Sequence, residues 1–283
     1  MSEPHSVVRS SRSLKGKVAI VTGAGCVGEG IGNGRAAAIL LAEDGCSVVC
    51  VDLNQTWADK TVEMIKAEGF GSAVSIVADV SKEAECKKIV DQAISTFGRL
   101  DILVNNVGIP GPPGNVTEVD MDRWRHAFSV NLESMILMAR FTIPEMLKND
   151  EDSKGSIVNL SSVAGLGAAA PKLLAYATNK GAIINLTKTM ALEYGKQGIR
   201  VNCVAPGSVY TPLTYANPNI EMTTEMREAR KSNNMLGIEG NGWDVGDAVR
   251  YVAGPTARWV TGVILPVDAG VTATAPLNAP ATK

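Results

Sequence analysis

The chain has 283 residues, 45% hydrophobic and 20% charged, with a net charge of −2. That balance fits one large α/β domain; it carries no basic footprint for nucleic acid and no apolar run near the roughly 18 residues of a membrane span. Five scattered cysteines without a C-x-x-C pair point to a reducing cytoplasmic setting, and two histidines leave no metal site and no basis for a Ser-His-Asp hydrolase.

Residues 1–16 are polar, with Arg9, Arg12 and Lys15, and are expected as a disordered leader. Residues 17–23 form a short apolar run ending in glycine, the pattern of a buried parallel strand. A loop containing Gly23, Gly25, Gly28, Gly30, Gly32 and Gly34 follows, and residues 35–43 are Ala- and Leu-rich and helical. Gly45 closes that helix, and residues 47–52 form a second strand ending in Asp52. A glycine-rich loop that opens onto a helix lets backbone N–H groups approach a pyrophosphate, and the helix dipole favours its charge. A carboxylate at the end of the second strand accepts ribose hydroxyls and repels a 2′-phosphate, so Asp52 favours NAD over NADP.

The alternation continues to the end. Helices are expected over 57–68, 84–97, 121–147 and 176–193, with Ser81 as the N-cap of the second. Strands are expected over 73–77, 100–104, 155–160, 200–204 and 260–267. The expected fold is α/β: a Rossmann-type, doubly wound parallel sheet of about seven strands with helices on both faces, in a single domain over 17–272. The tail 273–283 is Pro/Ala/Thr-rich and expected to be loose.

The notable residues fall after strands, where ligands bind in open parallel sheets. Tyr176 and Lys180, at i and i+4, share one helix face, and Ser162 lies fourteen residues before Tyr176. An ammonium beside a phenol lowers its pKa, and a tyrosine so tuned exchanges a proton with a substrate hydroxyl or carbonyl. His126 is read as a helix-face residue, not a catalyst.

These motifs resemble the short-chain dehydrogenase/reductase family over nearly the whole chain, from about residue 16 to 272. The resemblance rests on Thr22-Gly23, the glycine loop, Asp79-Val80, Asn105-Asn106-Val107-Gly108, Asn131, Ser162, Tyr176-x-x-x-Lys180, Pro206-Gly207 and Val267-Asp268-Ala269-Gly270. It implies that Tyr176 is the general acid/base, that Lys180 lowers its pKa and holds the nicotinamide ribose, and that Ser162 orients substrate. It implies that Asn131 holds a water joining Lys180 to a proton relay. Cofactor contacts are implied for Gly23, Gly32, Gly34, Asp52, Asp79, Val80, Asn105, Pro206, Gly207, Val209 and Thr211, besides Tyr176 and Lys180. Two departures stand out. About five extra residues lie between Gly23 and Gly32, and the Ser162–Tyr176 spacing exceeds the common one by one residue, which residues 166–170 can absorb as a bulge. Ser161 is the weaker serine candidate. Lengthened loops occur in the enoyl-thioester reductase branch, but that branch spaces its tyrosine and lysine more widely.

The implied activity is that of an NAD(P)-dependent alcohol dehydrogenase or carbonyl reductase acting on a secondary alcohol or ketone. A lid is expected over 208–243, and its Tyr210, Leu213, Tyr215, Met222, Met226 and Met235 point to an apolar, medium-sized substrate. Alternatives are a non-redox isomerase, an enoyl reductase, or a dinucleotide-binding protein without turnover. A homotetramer or homodimer is implied, with no nucleic-acid or membrane partner.

Overall fold

The computed structural model describes residues 9–150, 153–167, 171–216 and 222–273. Seven parallel strands form one sheet in the order β3-β2-β1-β4-β5-β6-β7. The first half comprises β1 (Val18–Thr22), α1 (Asn33–Glu43), β2 (Ser47–Asp52), α2 (Gln55–Glu68), β3 (Ser72–Val77), α3 (Glu83–Phe97) and β4 (Ile102–Asn105). The second comprises α4 (Met121–Phe128), α5 (Ser134–Met146), β5 (Gly155–Leu160), α6 (Leu174–Tyr194), β6 (Ile199–Pro206), α7 (Pro212–Tyr215), α8 (Thr224–Ser232), α9 (Gly242–Ala253) and β7 (Ile264–Val267).

The strands are largely apolar because helices cover both faces. β1, β4, β5 and β6 are buried at every position. On one face α1, α2 and α9 contribute Leu41, Ile65 and Val249; on the other α3, α5 and α6 contribute Ile89, Met138 and Met190. Helices α1 and α9 touch closely because position 246 is glycine: a Cβ there would lie 2.8 Å from that of Ala36. The chain reverses its direction of winding between β1 and β4, which opens a crevice at their carboxyl ends.

The expected leader is partly anchored. Residues 1–8 lie outside the described residues, but Leu14 is buried, its amide donates to the Asp44 carbonyl at 2.7 Å, and Arg12 pairs with the Asp44 carboxylate at 2.9 Å. Tail residues 274–283 also lie outside, after a short turn over Val271–Ala273. Ser81 is not the N-cap of α3: that position is Lys82, and the Ser81 hydroxyl donates to Asp79 at 2.6 Å. The long helix expected over 121–147 is broken by a π-helical turn, Ser129–Glu133. Pro144 is accommodated inside α5. The last strand is shorter than expected, because residues 260–263 serve the turn into β7.

Candidate active site

A cavity of about 650 Å³ opens at the carboxyl ends of the strands. Gly23, Gly32, Gly34, Asp52, Asp79, Val80, Ser162, Tyr176, Lys180, Pro206, Gly207, Val209 and Thr211 all line it. Residues from five strand ends and two helices, far apart in sequence, therefore face one space.

The chemical end is built from β5 and α6. Strand β5 delivers Ser161 and Ser162, and a short turn, Val163–Gly165, packs against α6. Gly165 permits that contact: a Cβ there would lie 2.5 Å from the Lys180 carbonyl carbon. Ser161 is engaged elsewhere, donating to the Lys180 carbonyl at 2.7 Å. Ser162, whose hydroxyl accepts from the Ala164 amide at 3.2 Å, is the serine that acts on the Tyr176 phenol, lowering its pKa. Part of the segment expected to bulge, 168–170, lies outside the described residues.

Lys180 is 4% exposed, and its ammonium donates to the Leu160 carbonyl at 2.8 Å and stands 5.7 Å from the Tyr176 ring centre. Burial pulls it down to about 8. The lowering of Tyr176 expected from Lys180 is not present: burial raises the phenol, and only the Ser162 hydrogen bond opposes it. The reason is shared desolvation. Both groups are withdrawn from water, and burial disfavours phenolate and ammonium alike.

Two expected residues do not line the cavity. Asn131 sits wholly buried in the π-helical turn, where its side chain accepts from the Ile109 amide at 2.7 Å and donates to the Ile109 carbonyl at 2.9 Å. It clamps the loop after β4, and Gly108 of that loop lies against both Lys180 and Asn131. π-turns of this kind commonly mark functional sites. Asn105 points into the sheet: its side-chain amide donates to Asn159 at 2.9 Å, and Asn159 donates to Thr187. The neighbouring Asn106 faces the cavity instead, donating to the Thr22 and Gly23 carbonyls at 3.1 and 2.9 Å.

The opposite end fits the dinucleotide implied by the resemblance. Gly34 lies directly on the Gly23 carbonyl, where any Cβ would collide. The N-cap of α1 is Gly32, with no side-chain cap, so first-turn N–H groups remain for a ligand. The Asn33 side-chain oxygen, on the cavity wall, is buried without a partner. Asp52 accepts from the Gly25 and Asn54 amides, both at 3.0 Å, which offset the burial that raises its pKa.

Arg35, which the sequence did not mark, organises the lengthened loop. It is fully buried, and its guanidinium donates to the carbonyls of Cys26, Gly28, Gly30 and Trp57 and to the Thr61 hydroxyl, at 2.6–3.3 Å. With loop carbonyls turned onto Arg35, the extra residues fold against the body. Gly30 meets Tyr215 and Pro212 of the lid, where a Cβ would clash. No helical pattern identifies a buried arginine; only its position after Gly34 could have drawn attention. Trp57 and Leu53 also line the cavity and were missed. His126 lines it too, from α4.

The lid contains α7 and α8, with residues 217–221 outside the described set. Tyr210 and Tyr215 stack with ring centres 4.7 Å apart, and Arg227 lies 4.1 Å over Tyr210 while pairing with Glu239.

Among the described residues, no cluster of His, Cys, Asp or Glu could hold a metal, and no helix is long and apolar enough to cross a membrane.

Comparison with known proteins agrees with this fold. The model of the family described as Enoyl-(Acyl carrier protein) reductase matches residues 27–272. An uncharacterized oxidoreductase of Thermotoga maritima is 37% identical over 265 residues, covering 92% of this chain and 99% of the relative. Meso-2,3-butanediol dehydrogenase of Serratia marcescens is 34% identical over 258 residues, covering 91% and 95%. A solved 7α-hydroxysteroid dehydrogenase, complexed with NADH and 7-oxo glycochenodeoxycholic acid, superposes with a TM-score of 0.82 at 34% identity, covering 92% of this chain and 95% of that one. The shared fold, the coverage and the residues gathered at the strand ends lead to one conclusion: this chain belongs to the short-chain dehydrogenase/reductase family of oxidoreductases.

Proposed function

We propose that the protein interconverts a secondary alcohol and a ketone with NAD as the hydride carrier. The observation that supports this most is the pairing of Tyr176 with Ser162 and Lys180 on one cavity wall, facing a glycine cradle on the same cavity. The bound nicotinamide supplies or accepts the hydride. Tyr176 moves the proton: it donates from its phenol to the carbonyl oxygen in reduction and takes the hydroxyl proton in oxidation. Ser162 hydrogen-bonds the same oxygen and the phenol, aligning them. Lys180, held by the Leu160 carbonyl, places a positive charge beside the developing phenolate. Asn131 is a positioning residue that fixes the Ile109 backbone beneath Lys180.

Asp52 supports NAD over NADP, because its carboxylate stands at the end of β2 and the nearest buried cation, Arg35, is committed to carbonyls. The apolar lid residues support a medium-sized apolar substrate. Relatives named as alcohol dehydrogenases, such as those for meso-2,3-butanediol and cyclohexanol, are consistent with this reading. The three-residue interval between Tyr176 and Lys180 favours it over enoyl reduction. We further propose a cytoplasmic homo-oligomer. The test is Tyr176→Phe assayed with NADH and a panel of ketones: turnover falls by about 10²–10⁴-fold, while NADH affinity by calorimetry stays at the wild-type value. Unchanged turnover in the variant would overturn the acid/base assignment.

A further inference from the structure

Helix α8 of the lid carries three basic side chains in and just before its last turn, and they are not equivalent. Arg227 pairs with Glu239, and Lys231 pairs with Glu228 at 2.6 Å. Arg230 pairs with no carboxylate among the described residues, and it alone of the three lines the cavity that holds Tyr176 and Ser162. Its Nη2 donates to the Val209 carbonyl at 2.9 Å, and its Nη1 has only the Met222 sulfur at 3.8 Å. Its Nε is buried with no acceptor.

An orphaned Nε is not sufficient by itself. Arg200 also has one, but both of its Nη atoms are engaged, by carbonyls of Val252, Ala253 and Gly254 at the end of α9 and of Val260 before β7, outside the cavity lining. Arg35 has every nitrogen engaged. Arg230 differs because the same group combines an under-used guanidinium, no counter-ion among the described residues and a cavity wall. A half-buried cation without a counter-ion is costly, and a carboxylate satisfies a guanidinium with two parallel charge-assisted hydrogen bonds. The cavity's acids, Asp52 and Asp79, stand at the end of β2 and just after β3, whereas Arg230 reaches the loop after β6.

We propose that Arg230 is an anion receptor for the substrate, which is therefore an alcohol or ketone with an apolar body and one carboxylate. This rests on the reading of the cavity as a substrate site and adds the charge to the apolar substrate inferred from the lid. Arg230 sets specificity by binding the carboxylate; Val209, which it also holds, keeps its guanidinium at the cavity wall.

The test is a binding measurement that needs no turnover, so it fails separately from the Tyr176 assignment. Octanoate and octanamide, alike in shape and different in charge, are titrated calorimetrically into the protein saturated with NADH. Octanoate binds about tenfold or more tightly than octanamide in the wild type. Arg230→Met abolishes that preference by weakening octanoate alone, Arg230→Lys keeps part of it, and NADH affinity is the same in all three proteins. Equal binding of the two probes, binding of neither, or an Arg230→Met variant that weakens both alike overturns the proposal. A loss of NADH affinity in Arg230→Met also overturns it, by assigning the guanidinium to the cofactor.

Discussion

The glycine loop and the lid meet at Gly30 and Tyr215, and each is built around arginine, with opposite results. In the loop, Arg35 is sealed and its donors all find protein acceptors, so the backbone is held from beneath. In the lid, Arg227 is tied to Glu239 while Arg230 keeps a buried Nε with no acceptor among the described residues. A satisfied buried cation defines a shape; an unsatisfied one on a cavity wall defines a ligand. The lesson is that side-chain accounting separates scaffold from recognition where residue type does not.

The largest expected effect outside the chemistry itself lies in the loop. Arg35→Ala leaves several buried carbonyls without a donor, at a cost of about 3 kcal/mol or more in urea unfolding. Arg35→Lys recovers only part, because an ammonium cannot reach both arms of the loop. If Arg35→Ala unfolds at the wild-type midpoint, the loop is not held from beneath and the contrast with the lid fails.

Lys180 lies between the two regions and supplies a pH test. Its folded pKa of about 8 lies below the ordinary 10.5, so between those values the unfolded chain holds more protons. Stability therefore rises with pH across that window, by at most about 3 kcal/mol. Burial raises Tyr176, which has the opposite effect above its ordinary pKa. Comparing unfolding curves of the wild type and Lys180→Met isolates the lysine: their difference shrinks from pH 8 toward 10.5, and a constant difference would refute the burial of a charged lysine.

Asp52 tests whether the loop end also selects the cofactor. The wild type binds NADH about tenfold or more tightly than NADPH, and Asp52→Ala erases the gap, a change of about 1.4 kcal/mol. Tighter NADPH binding by the wild type would reverse the cofactor assignment. The smallest effect belongs to the lid. Glu239→Gln removes the carboxylate that anchors Arg227, a partly exposed pair, and lowers stability by roughly 0.2–1 kcal/mol in thermal unfolding. A loss as large as that of Arg35→Ala would mean that lid and loop are equally rigid.

Much of this was legible in the sequence. The alternation of apolar strands and helices, Asp52 at a strand end, and the i, i+4 placement of Tyr176 and Lys180 follow from local period and burial alone, and the sheet order and cavity lining agree with them. Neighbouring choices were not legible. Asn105 and Asn106 differ by one position at a strand end, where successive side chains point to opposite faces, and only the sheet decides which of them faces the cavity. Ser161 and Ser162 both line the cavity, and only the folded contacts separate them, since Ser161 donates to the Lys180 carbonyl while Ser162 acts on Tyr176. The tuning of Tyr176 depends on how deeply it and Lys180 are buried, which spacing does not report. The roles of Arg35 and Arg230 depend on which acceptors the folded chain brings within about 3 Å. Local pattern thus determined the fold and marked the candidate site residues, whereas the tertiary structure decided which polar groups are satisfied by the protein and which face the cavity, because that question is settled by contacts between residues distant in sequence.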